Sequence, residues 1–190
     1  MKLHYKGKYD LNPDSLPHGE HKPGCVKFKE PEDSKKFGLI ANVLSLVIMI
    51  VLAVPACFRL RETFPGITVL CIGYVASVLS FFPHEILHAL CFREDVYIYT
   101  NRKQGMLFVI GTEDMSKGRF VFMSLLPNLV FGIIPYAVGM IISSTFLVTM
   151  GTLCVGMGAG DYINVFNALT QMPKGARTYL YKFGSYWYIP

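Results

Sequence analysis

Charge is what this chain lacks. Only 16% of its 190 residues are Asp, Glu, Lys or Arg, against about 25% in an ordinary soluble domain. Hydrophobic residues make up 52%, and the mean hydropathy is +0.39. So much apolar surface excludes a disordered chain, and a soluble body of this size has too little interior to hide it. The bilayer is what remains. Residues 1–36 hold no short apolar run ending in a small-residue cleavage site, so no signal peptide is expected. The cysteines are five, an odd number (Cys25, Cys57, Cys71, Cys91, Cys154). Most sit inside apolar runs and imply no disulfide framework. No internal repeat or low-complexity segment is visible.

What the chain does have is long apolar stretches. Residues 1–36 form a polar head rich in Lys, Pro and acidic residues, and the composition then changes abruptly. Residues 37–58 are apolar apart from Asn42 and Ser45, enough helix to cross a hydrocarbon core of about 30 Å. A second run, 67–92, is interrupted by His84, Glu85 and His88; a third, 120–142, holds Pro127, Asn128 and Pro135. The fourth, 145–169, follows after only Ser143 and Ser144 and holds Asp161, Asn164 and Asn167. The expected fold is an all-α membrane protein of about four transmembrane helices. Between helices 2 and 3, the β-rich runs 96–100 and 106–110 read as a small cytoplasmic β-hairpin. Residues 178–183 alternate too, as a third strand or, with Trp187 and Tyr188, as an interfacial aromatic anchor; the anchor is preferred. Three segments follow: a cytoplasmic head (1–36), an integral-membrane domain (37–170) and a cytoplasmic or interfacial aromatic tail (171–190).

Basic residues set the orientation. With both termini in the cytoplasm, only Arg59 and Arg61 of the 18 Lys and Arg face outward. The net charge of +5 is then a topology signal and calls for no nucleic acid. His18 and His21, in a Pro/Gly-rich stretch, read as solvated loop histidines rather than a metal pair.

The second run ends in Phe82-Pro83-His84-Glu85-Ile86-Leu87-His88, an H-E-x-x-H pattern. On a helix, His84 and His88 share one face and reach one metal ion, and Glu85 is placed to take a proton from water. The competing reading has His and Glu satisfying each other between helices, but ionisable groups within a span mark a functional site by default. A zinc site needs a third protein ligand. Only Glu85 and Asp161 are acidic within the apolar runs. Counting helical rise places His84 and His88 at about 26 and 32 Å from the outer face and Asp161 at about 24 Å. Asp161 is therefore the expected third ligand of one Zn²⁺ ion. Gly156, Gly158 and Gly160 would let the fourth helix approach a neighbour closely. Asn128 and Asn164 are candidates to orient a ligand or hold a substrate carbonyl, and equally to make polar contacts between helices.

PHEILHAL, MSKGRFVFMSLLPNLVFGIIPY and GAGDYIN together resemble the bacterial Putative zincin peptidases, multispan membrane proteins of a site-2-protease-like plan. The resemblance covers roughly residues 70–183 and leaves the head unexplained. It implies a zinc metalloprotease of the bacterial cell membrane that cuts membrane or membrane-proximal peptides. His84, His88 and Asp161 would be its ligands and Glu85 its catalytic base. The site-2 pattern has its Asp in Leu-Asp-Gly, whereas here it sits in Gly-Asp-Tyr-Ile-Asn; Asn128 and Asn164 are oxyanion candidates by position alone. The alternative expectation is a non-catalytic membrane protein, with a structural metal site, acting as a partner-binding scaffold.

Overall fold

A computed structural model describes residues 2–31, 33–101 and 105–190. Arg102 and Lys103, counted above among the inner charges, and most of the hairpin turn lie outside the described residues. In chain order the elements are β1 (Leu3–Lys8), β2 (Val26–Lys27), α1 (Ser34–Leu60), α2 (Ile67–Leu79), α3 (Phe81–Leu90), β3 (Val96–Asn101) and β4 (Met106–Gly111). There follow β5 (Met115–Ser116), α4 (Lys117–Pro127), a π-helical turn (Asn128–Ile133), α5 (Ile134–Ile142), α6 (Thr145–Met157), α7 (Ala159–Gln171), β6 (Arg177–Tyr181) and β7 (Gly184–Tyr188).

The expectation of an all-α chain with one small hairpin is therefore corrected. Among the described residues, seven strands build two sheets, in the orders β1-β3-β4 and β2-β7-β6-β5. The polar head supplies a strand to each sheet, and the aromatic tail is a β-hairpin rather than a bare anchor. The head escapes a local reading because β1 is an edge strand, mostly exposed and rich in Lys, with only Leu3 and Tyr5 as large apolar residues. Its stability comes from partners about 90 residues away, which no local propensity records.

Two compact units divide the chain. The helical unit comprises Pro31–His84 and Leu125–Ile163. Asp33 caps α1 by accepting the Lys35 amide at 2.9 Å. Among the described residues, three helices, Lys35–Thr63, Ile67–Leu90 and Lys117–Ile142, are long and apolar enough to cross a membrane. Thr145–Met157 and Ala159–Gln171 qualify as a fourth if taken as one span bent by 51°. Ser143, in the left-handed region, turns the chain between α5 and α6, and the Ser144 side chain caps α6 at the Leu147 amide. Glycine lets α5 and α6 close on each other. A Cβ on Gly151 would stand 2.5 Å from the Tyr136 backbone nitrogen, and one on Gly139 2.8 Å from that of Val148.

The sheet unit comprises Met1–Glu30, Glu85–Ser124 and Asn164–Pro190. β1 runs parallel to β3, from Leu3 opposite Val96 to Lys8 opposite Thr100. A register shift between Tyr5 and Gly7 falls where Gly7 takes a φ of +81°, which glycine adopts without strain. β3 and β4 pair antiparallel, Val96 opposite Gly111 through Asn101 opposite Met106. Tyr9, Leu16, Tyr99 and Ile110 form one core, and Phe28, Ala168, Met172 and Ala176 a second. Lys117 donates to the carbonyls of Leu169 and Met172 at 3.2 and 2.8 Å, a cation on the last carbonyls of α7.

Candidate metal centre

The second apolar run folds as two helices joined at Ser80. The hydrogen-bond ladder nonetheless continues, with the Ser80 amide on the Ala76 carbonyl and the His84 amide on the Ser80 carbonyl, both 2.9 Å. Pro83 lies in the first turn of α3, where a missing amide costs a helix little. One turn apart on this helix stand His84 and His88.

Asp161 comes from the other break. α6 ends at Met157, Gly158 follows, and α7 opens at Ala159 with Asp161 in its first turn. A carboxylate at that end meets the positive pole of the helix dipole. Its Oδ2 lies 3.3 Å from His84 Nε2. The Asn128 amide donates to that same oxygen at 2.7 Å. Asn128 is 1% exposed and opens the π-helical turn, a rare conformation that concentrates at functional sites. It fits there because residue 158 has no side chain: a Cβ on Gly158 would fall 1.6 Å from Asn128 Oδ1. The three glycines thus do different things. Gly156 admits Met49 of α1, Gly158 admits Asn128, and Gly160 meets nothing described within 4 Å.

His88 Nδ1 lies 2.9 Å from the Met123 carbonyl. A carbonyl only accepts, so Nδ1 carries the proton and Nε2 keeps the lone pair a metal requires. One ligand atom each from His84, His88 and Asp161 lies within 4.8 Å of the others. Two imidazoles and a carboxylate, half-buried, are a donor set that suits zinc.

Glu85 follows His84 on α3 and is buried. The two asparagines part company. Asn128 has its amide on Asp161, while Asn164 lines a cavity of about 140 Å³ with Phe92, Val109, Met115, Phe120 and Met123. Sequence reasoning missed Gly158 as the seat of Asn128 and the Met123 carbonyl as the partner of His88. The first left a trace in its glycine; the second is backbone and left none.

The family model described as "Putative zincin peptidase" matches residues 77–177, just over half of the chain. The chain belongs to this family. The matched stretch contains all three residues of the cluster together with Glu85, Asn128 and Asn164. No curated protein and no solved structure matches the chain.

Proposed function

We propose that the chain is a membrane-embedded zinc metallopeptidase that hydrolyses peptide bonds of membrane or membrane-proximal substrates on the cytoplasmic side. The observation that carries this reading is the meeting of His84, His88 and Asp161 within 4.8 Å, in a chain of this family. Embedding is supported by three helices apolar enough to span and by large apolar side chains facing outward along them, among them Val51 and Ile141. The orientation, with both termini cytoplasmic in a bacterial cell membrane, rests on the distribution of Lys and Arg.

His84, His88 and Asp161 would hold one zinc ion. Bound zinc supplies Lewis acidity, which polarises a carbonyl and brings the pKa of water towards about 7. Glu85 then takes the proton of the attacking water and delivers it to the leaving amide nitrogen. Asn128 fixes the rotation of the Asp161 carboxylate through its side-chain amide. An extended peptide finds a free sheet edge at β4, the terminal strand of its sheet. The cavity beside Asn164 would take one apolar side chain of that peptide.

The test is Glu85→Gln in full-length protein reconstituted in proteoliposomes with a library of apolar peptides, read by mass spectrometry. The variant should retain zinc and lose every cleavage product seen with wild type. Cleavage at wild-type rate would remove Glu85 as the base.

A further inference from the structure

The last carbonyls of a helix lack intrahelical partners and its last turn frays unless something holds it. α3 ends at Leu90, only two residues past His88. Arg119 donates from Nε and from a terminal nitrogen to the Cys91 carbonyl, at 3.0 and 2.6 Å. Its remaining terminal nitrogen pairs with Glu113. Glu113 is 8% exposed, and its second oxygen accepts the amides of Arg93 and Glu94 at 2.6 and 3.0 Å. The turn that closes α3 is thus gripped at its carbonyl by a guanidinium and at its amides by a carboxylate. Burial pushes the Glu113 carboxyl up, but the two amides and Arg119 outweigh it and hold it below the usual range.

Arg119 also stands one turn before Met123 on α4, the residue whose carbonyl accepts the His88 Nδ1 hydrogen bond. α4 therefore holds α3 at two points, His88 itself and the turn just beyond it. We propose that Glu113 and Arg119 are positioning residues for His88, fixing the end of α3 so that the imidazole stays on the Met123 carbonyl with Nε2 aimed as a ligand. This rests on the metal-site reading above. A ligand held loosely is a poor ligand, because the geometry tolerated is only about 0.5 Å and 10–20°. Removing either partner would also leave the other charge buried and unmatched.

The experiment measures zinc affinity by chelator competition, and the visible spectrum of the Co²⁺-substituted protein, for full-length chain in detergent. Arg119→Gln and Glu113→Gln should weaken zinc binding about 10- to 100-fold and alter the cobalt spectrum. Arg119→Lys keeps the charge but not the fork, and should fall between Arg119→Gln and wild type. The control is Arg177→Gln, which breaks an ion pair with Asp114 that touches no part of α3. It should lower thermal stability and leave zinc affinity and spectrum unchanged. Wild-type affinity and spectrum in Arg119→Gln would overturn the proposal, as would an equal loss in all variants including Arg177→Gln. Wild-type chain that binds no metal would overturn the site and the clamp together.

Discussion

In the helical unit the large apolar side chains look outward: Val51, Leu79 and Ile141 are 63%, 70% and 76% exposed, while Ser77 and Asn128 are 1% exposed. The sheet unit is arranged the other way. Leu16, Val96 and Ile110 lie inside at 2% or less, and ion pairs such as Arg177–Asp114 lie nearer the surface. Close packing follows suit. The helices meet through glycines that bring backbone to backbone, as expected where lipid outside is as apolar as leucine and only contact distance and hydrogen bonds discriminate. The sheets meet through stacked and edge-on rings, with Phe183 of the β6–β7 turn against Tyr9 and Phe108, the usual use of apolar area against water. On the proposed reading, one chain is built for two solvents.

The most forceful way to break this comparison is to put the same charge on both outer surfaces. Val51 and Ile189 are almost equally exposed, at 63% and 62%. Val51→Lys should cost about 2.5–3.5 kcal/mol of insertion free energy and lower the fraction of chain that resists carbonate extraction from membranes. Ile189→Lys should stay within about 0.5 kcal/mol of wild type. Equal tolerance at both positions would mean that one solvent surrounds both units.

A smaller effect is expected from glycine. Gly151→Ala forces a methyl to 2.5 Å from backbone and should cost about 1–3 kcal/mol, read as a lower Tm in detergent. Gly160→Ala adds a methyl where nothing described lies within 4 Å and should leave Tm unchanged or raise it. The pair separates packing from helix propensity.

The smallest effect is a pH dependence confined to the sheet unit. Burial pushes the Asp114 carboxyl up, but the Tyr188 hydroxyl and the Arg177 guanidinium outweigh it and hold it below the ordinary range. A depressed folded pKa gives stability that is present above the unfolded value near 4 and lost as pH falls through the folded one. For a pair this exposed, screening leaves about 0.5–1 kcal/mol. Proteolysis of the sheet unit should accelerate below about pH 4, and Asp114→Asn should flatten that profile while lowering stability at pH 7.

How much was readable from the sequence follows the same division. Residues 37–58 announce a helix because nearly every residue is apolar, a signal carried locally. Leu3–Lys8 announces little, since its pairing depends on residues 96–100. The tail misleads in another way: alternating Tyr and Trp suit an interfacial anchor as well as the strands β6 and β7. At the site, the spacing of His84 and His88 is a helical signature, and counting rise places Asp161 near their level. The structure brings its carboxylate to 3.3 Å from His84. Sequence could not say that Asn128 faces Asp161, because a π-helical turn and the 51° bend at Gly158 set its direction. Nor could it separate Arg119 from the other basic residues, because what sets it apart is its grip on one carbonyl at Cys91.

The central claim is that Asp161 completes a zinc site with His84 and His88. The direct test is zinc content by atomic emission on purified, monodisperse full-length protein, comparing wild type with Asp161→Ala. The expected result is one zinc per chain in wild type and its loss in Asp161→Ala, with the helical content of both unchanged. A full zinc complement in Asp161→Ala, or a folded wild type that takes up no zinc, would contradict it.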